Sequence, residues 1–145
     1  ITNLLRKMGF GAQSGPGLGG QTVYPVLAER AGLGAFGRHG LIITPENGPT
    51  HRLGVVYTNI TNLPLNEKNH HEWIQDFCQK CGKCIKKCPA NAIYKKPQKT
   101  RRNNITFINS DKCTSHFENY GCSICIKECP FNKIGYQQIK SSFLN

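Results

Sequence analysis

Eight cysteines in two runs, each closed by Cys-Pro, limit the folds open to this chain more than any other feature of it. The first run is Cys78-x2-Cys81-x2-Cys84-x3-Cys88-Pro89, and the second is Cys113-x8-Cys122-x2-Cys125-x3-Cys129-Pro130. Three thiolates at C-x2-C-x2-C spacing fit three corners of an iron–sulfur cubane, because a tight loop can wrap one edge of it. The fourth cysteine of each run leaves on an emerging helix turn before proline, directed at the other cluster, as in two-cluster ferredoxins. This crossover predicts one [4Fe–4S] cluster on Cys78, Cys81, Cys84 and Cys129, and a second on Cys88, Cys113, Cys122 and Cys125. The eight-residue gap after Cys113 departs from the compact repeat and reads as a longer loop that still presents its thiolate.

Two other uses of the cysteines fit less well. Disulfides need an oxidising compartment, and cysteines at C-x2-C-x2-C spacing are poor mutual partners. A pair of zinc sites would use the same residues but leaves the two C-x3-C-P endings without a purpose. With all eight cysteines consumed as ligands, no thiol remains for nucleophilic catalysis. The neighbouring Ile85, Ile93, Ile124, Ile126 and Phe131 are expected to exclude water and help set the reduction potential. Two adjoining clusters make a one-electron wire, and ligation from residue 78 to residue 129 makes them staples of the fold as well.

Composition agrees with a fold that needs such staples. The chain has 145 residues, 38% apolar, with 15 Gly and 8 Pro, a lean supply for a hydrophobic core. Its formal charge of +11 suggests nucleic acid, but thiolate ligation and cluster charge together reduce it to roughly +7. Neither an aromatic RNA-binding motif nor a helix-turn-helix pattern accompanies the lysines, so nucleic acid is not expected as a partner. The charge at Lys83, Lys86, Lys87, Lys95, Lys96, Lys99, Arg101 and Arg102 reads as solvated surface or as a rim that steers an acidic electron donor. No apolar run is long enough for a transmembrane segment. The chain opens at Ile1 within a helical pattern, which leads us to expect sequence upstream of it.

Residues 1–10 place Leu4, Leu5 and Met8 on one helical face, and a glycine-rich loop follows. Gly15-x-Gly17-x-x-Gly20 matches a dinucleotide-binding pattern, but a helix precedes it and no acidic residue stands at the required offset. Pro25 starts a short helix, and Leu41–Thr44 and Arg52–Ile60 read as strands joined by a turn-rich loop. Residues 66–77 form an amphipathic helix with Trp73, Ile74 and Phe77 on its apolar face. The basic stretch from Tyr94 to Asn104 reads as an exposed excursion, and residues 136–145 as a polar tail. The fold class expected is α+β, with an incomplete piece over residues 1–65 and a ferredoxin-like domain over 66–145.

The run from Ala31 to Pro49, AGLGAFGRHGLIITPENGP, followed by VVYTNITNLPL and the paired cysteine motifs ending CPFN, resembles the C-terminal half of the reductive dehalogenases. Epoxyqueuosine reductase is a more distant relative. The resemblance implies the end of a nitroreductase-like corrinoid-binding domain, then a two-cluster bacterial ferredoxin-like domain. It implies a corrinoid (cobalamin) shared with upstream sequence, and an electron donor of ferredoxin or flavodoxin type or other subunits of a redox complex. Arg38 matches a basic residue that lines the substrate or corrinoid pocket, which makes it a candidate catalytic group, and His39 is a weaker candidate for the same pocket. The family's proton-donating tyrosine belongs to sequence upstream, and Tyr24 and Tyr57 do not replace it.

Three functions follow from this reading. The first is the electron-transfer portion of a corrinoid-dependent reductase, not a complete catalyst alone. The second is a non-catalytic ferredoxin-like carrier subunit, and the third is a basic nucleic-acid-binding metalloprotein. Cluster assembly suits the cytoplasm, with membrane association or export if an upstream signal exists.

Overall fold

Glycine and proline divide this chain into short elements, and side chains from distant segments hold them together. The computed structural model describes residues 1–17, 22–64, 68–100 and 105–144. In chain order come α1 (Thr2–Lys7), β1 (Ala12–Ser14), α2 (Tyr24–Arg30), β2 (Ala35–Phe36), β3 (Ile42–Ile43) and β4 (Val56–Thr58). After them come α3 (Trp73–Cys81), α4 (Lys83–Lys87), β5 (Ile93–Lys99), β6 (Ile105–Ile108), α5 (Ser110–Tyr120), α6 (Ile124–Lys127), α7 (Pro130–Lys133) and α8 (Tyr136–Leu144).

The described strands form three antiparallel pairs, β1 with β4, β2 with β3, and β5 with β6. The two strands read from the sequence, around Leu41–Thr44 and Arg52–Ile60, are shorter than expected and pair with other partners. Val56 faces Ser14 and Thr58 faces Ala12, so part of the glycine-rich loop is strand. Of the dinucleotide-like glycines, Gly20 lies outside the described residues. Ile43 faces Ala35, and both are fully buried.

One core cluster draws on both ends of the chain: Ala35, Ile43, Ile74, Cys129, Phe131, Tyr136 and Ile139, with Trp73, Phe77 and Cys78 packed against it. Aromatic rings supply much of it. Phe77 meets Phe131 edge-on at 5.1 Å, and Trp73 meets Tyr136 edge-on at 5.3 Å. Tyr136 also joins segments through its hydroxyl, which accepts from Trp73 Nε1 at 3.2 Å and bonds His71 Nδ1 at 2.6 Å. Asn69 Nδ2 donates to the carbonyls of Glu29 and Gly34 at 3.0 and 2.9 Å, tying the approach to α3 onto the earlier segment.

The two sequence blocks that carry the family resemblance touch each other. Thr50 Oγ1 donates to Asn132 Oδ1 at 3.0 Å, and Gly48 lies so close to the Phe131 carbonyl that an added Cβ would stand 2.8 Å from it.

Three further expectations change. Within the expected tail Tyr136–Leu144 form α8, not a featureless segment: Tyr136 and Ile139 are buried and Phe143 packs on Trp73 and Phe77. The polar residues face water while an apolar face, spaced at helical intervals, enters the core. The basic stretch from Tyr94 begins as β5 and returns through β6, with Pro97 falling where the pairing register shifts. Arg101 and Arg102 lie outside the described residues, as does the expected boundary between residues 65 and 66. The amphipathic helix before the first cysteine run starts at Trp73 and continues through Cys81.

Candidate functional site

The first cysteine run folds as two short helices broken by a glycine. α3 carries Cys78 and Cys81, Gly82 turns the chain with φ of 58° at its end, and α4 restarts with Cys84. That left-handed residue lets three consecutive thiols face one side, and glycine takes it without the Cβ clash other residues meet. In the second run α6 carries Cys125, and Pro130 opens α7 directly after Cys129. The eight-residue gap after Cys113 is helical rather than a loop. Cys113 sits near the start of α5, where Asn109 Oδ1 caps the helix by accepting from Lys112 N at 3.0 Å.

The eight thiols sort into two groups across the runs. Burial pushes the Cys78 and Cys129 thiols up to about 11 and the Cys84 thiol up to about 12. Their mutual repulsion adds to this: Cys78 feels Cys129 and Cys81, and Cys84 feels Cys78, Cys129 and Cys81. Burial also raises Cys113 and Cys125, with Cys88 and Cys122 contributing to both. Cys129 feels Cys125 as well, so the two groups adjoin.

Among the described residues no three His, Cys, Asp or Glu side chains converge on one metal-ion position. The first group borders a small cavity lined by Cys78, Cys81, Cys84, Cys129, His39 and Phe77, among others. Backbone N–H groups point at several of the sulfurs: Ala92 N donates to Cys88 Sγ at 3.3 Å, and Cys129 receives from Phe131 and Asn132. Such donors favour thiolate over thiol, which is the form a cluster requires. The residues present therefore fit two [4Fe–4S] clusters.

Not all the apolar neighbours serve equally. Ile93 and Phe131 are buried, whereas Ile124 is 37% exposed. The sequence reading did not foresee that the Gly37–Gly40 segment belongs to the cysteine site. The Arg38 backbone N–H bonds Cys78 sulfur, while the Arg38 side chain turns away. Its Nη2 donates to the Tyr94 and Lys95 carbonyls, its guanidinium lies 5.1 Å from the Phe107 ring centroid, and its Nε is buried without a partner. His39 is 4% exposed on the cavity wall. The glycine-x-x-glycine pattern around these two residues was the available signal. Tyr24 and Tyr57 lie apart from the cysteines, donating to Pro16 O and bonding Thr22 Oγ1 respectively.

Residues 77–133 match the 4Fe–4S dicluster domain. The chain is 42% identical over 94 residues to a tetrachloroethene reductive dehalogenase of Desulfitobacterium hafniense, covering 64% of this chain and 16% of that protein. It is 38% identical over 97 residues to an epoxyqueuosine reductase of Francisella cf. novicida (strain Fx1), covering 66% of this chain and 24% of that protein. A solved reductive dehalogenase, described as suggesting a mechanism for B12-dependent dehalogenation, superposes with a TM-score of 0.80 at 26% identity, over 98% of this chain and 22% of that one. The chain thus spans about a sixth to a quarter of the length of these relatives.

Fold and cysteine geometry therefore define a dicluster iron–sulfur electron-transfer protein. Homology narrows this further: the chain is similar to the iron–sulfur portion of reductive dehalogenases and, more distantly, to that of epoxyqueuosine reductases.

Proposed function

We propose that this chain relays single electrons through its two clusters to the active site of a corrinoid-dependent reductase. The observation that supports this reading is that the two buried cysteines, Cys84 and Cys129, belong to one expected quartet and the exposed Cys113 to the other, so that one quartet is the more buried and the other the more exposed. Cys78, Cys81, Cys84 and Cys129 hold the buried cluster, and Cys88, Cys113, Cys122 and Cys125 hold the exposed one. Electrons enter at the exposed quartet, where Cys113 meets solvent, and leave from the buried one. A ferredoxin- or flavodoxin-type donor, or another subunit of a redox complex, docks at the exposed end. Lys86, Lys87 and Lys127, all exposed and close in sequence to Cys88 and Cys125, give that end a positive rim for an acidic partner.

Residues 1–65 form the end of a nitroreductase-like corrinoid-binding domain, and residues 66–145 the ferredoxin-like domain. The apolar surface at Leu4, Met8, Val23 and Leu33, each more than half exposed, supports contact with further protein or cofactor. A bound corrinoid supplies low-valent cobalt chemistry. Arg38 is the residue of this chain best suited to that pocket, since its buried Nε has no partner and can meet a departing anion. Among the described residues no helix is long and apolar enough to cross a membrane. Eight unpaired cysteines suit cluster assembly in the cytoplasm, with later export where an upstream signal directs it.

Anaerobic purification of the full-length protein tests this reading. Eight irons together with one cobalt, and a corrinoid spectrum that changes on reduction, are expected. Eight irons without cobalt would overturn the corrinoid assignment and leave an electron carrier.

A further inference from the structure

His39 has no role in the ligand set, yet it is the buried polar side chain that borders the cavity of the buried quartet. Its Nδ1 accepts a hydrogen bond from the Leu41 backbone N–H at 3.2 Å. A nitrogen that accepts carries no proton, so the neutral ring bears its hydrogen on Nε2. Nε2–H is consequently a fixed donor, and it is buried with no hydrogen-bond partner among the described residues. A buried donor left unmet costs about 1–3 kcal/mol, which makes an orphan in a well-packed wall a sign of a missing acceptor.

The local backbone is shaped to admit this ring. A Cβ on Gly37 would stand 2.6 Å from His39 Cε1 and 3.0 Å from Nε2, so any larger residue would displace the imidazole. The Gly40 N–H closes the turn onto the Gly37 carbonyl at 2.9 Å, and Gly40 has φ of 75°. Within the same turn, the Arg38 backbone N–H already bonds Cys78 sulfur. Two successive residues thus face the same quartet, one through its backbone and one through its side chain.

We infer that His39 donates its Nε2–H to a sulfur of the buried cluster and so raises that cluster's reduction potential relative to the exposed one. This rests on the two-cluster reading above. The physical basis is that a donor to sulfur stabilises the more electron-rich reduced state. His39 is a positioning and tuning residue here, and its effect is specific to one cluster. By lifting the potential of the buried cluster it makes the inward electron step more downhill.

The test is a redox titration of the full-length, cluster-loaded protein followed by electron paramagnetic resonance, comparing wild type with His39→Leu and His39→Gln. His39→Leu removes the donor and should lower the potential of the buried cluster while leaving the exposed one unchanged. His39→Gln keeps an amide donor at similar reach and should restore part of the shift. Unmoved potentials, or equal shifts in both clusters, would overturn the inference. Since His39→Leu can disturb packing, wild-type protein labelled with 15N-histidine supplies a second measurement. Pulsed spectroscopy of the reduced buried cluster should show a weak 15N coupling, and its absence would also overturn the inference. Fewer than eight irons, or a single cluster signal in the wild type, would instead refute the underlying two-cluster reading.

Discussion

The buried and exposed quartets share one ligand chemistry but are held in different ways. Around Cys84 and Cys129 the wall is made of Phe77, Phe131 and His39, with the rest of the core behind it. Around Cys113 there is a solvent-exposed helix. The buried quartet is therefore part of the core, and losing its cluster removes both ligation and a packing partner. The exposed quartet is attached to the rim of the fold. In the proposed wire a donor would meet the quartet of Cys113, which is exposed, before that of Cys84 and Cys129, which are buried.

Breaking each quartet in turn gives the largest expected effect. Cys129→Ser should cost the buried cluster, roughly half the iron, and most of the thermal stability of this half, because Cys129 is also a core residue. Cys113→Ser should cost the exposed cluster but leave Trp73, Phe77 and Phe131 packed, so near-ultraviolet circular dichroism should persist. If Cys129→Ser removed the exposed cluster's resonance instead, the crossover assignment would fail. Next in size is the order of loss under an iron chelator. Resonances of the exposed cluster should vanish well before those of the buried one, and simultaneous loss would mean that the two sites open together.

The pH dependence separates the quartets more finely. Cluster binding needs thiolates, so protons compete with iron while the thiols remain protonated. Burial raises these thiols in the folded, cluster-free chain above the ordinary value of 9.0. Stability gained from the buried thiol form is thus fully present below pH 9.0 and lost as the pH climbs toward 11 to 12. Iron retention must run the opposite way, strengthening as pH rises. It should keep strengthening beyond pH 10 at the buried quartet, where Cys84 is pushed up to about 12, and flatten earlier at the exposed one. Iron release at equilibrium against a chelator, followed from neutral pH up to about 12, measures both slopes, and retention that falls with pH would contradict the account.

Packing differences are smallest and easiest to quantify. Phe131→Ala opens the core and should cost about 3–5 kcal/mol in holoprotein unfolding. Ile124→Ala, at a position 37% exposed, should cost under about 1 kcal/mol. Equal losses would mean that the exposed side is as tightly packed as the buried one.

The residues that carry a chemical pattern were legible one by one. The cysteine spacing, the Pro25 helix start and the amphipathic face of Trp73, Ile74 and Phe77 each reflect a local rule, and α2 and α3 formed about where those rules put them. Pairings and partners were not legible. β1 was hidden because Ala12–Ser14 has no alternation and gains its hydrogen bonds from Val56–Thr58, more than forty residues away. α8 was missed because its buried residues, Tyr136 and Ile139, are sparse among polar ones and gain their burial only from α3 and α7.

By itself, the sequence determined the cofactor class, since cubane geometry and C-x2-C-x2-C spacing are both local. Which cluster is buried depended on long-range packing. Nothing adjacent to Cys84 or Cys113 in the chain tells that one lies within the aromatic core and the other on an open helix. The same holds for the turn from Gly37 to Gly40, which stands some forty residues from the first cysteine and yet brings Arg38 N–H and the His39 ring to its cluster. A hydrogen bond depends on where atoms finally lie, and only the folded chain brings those atoms together.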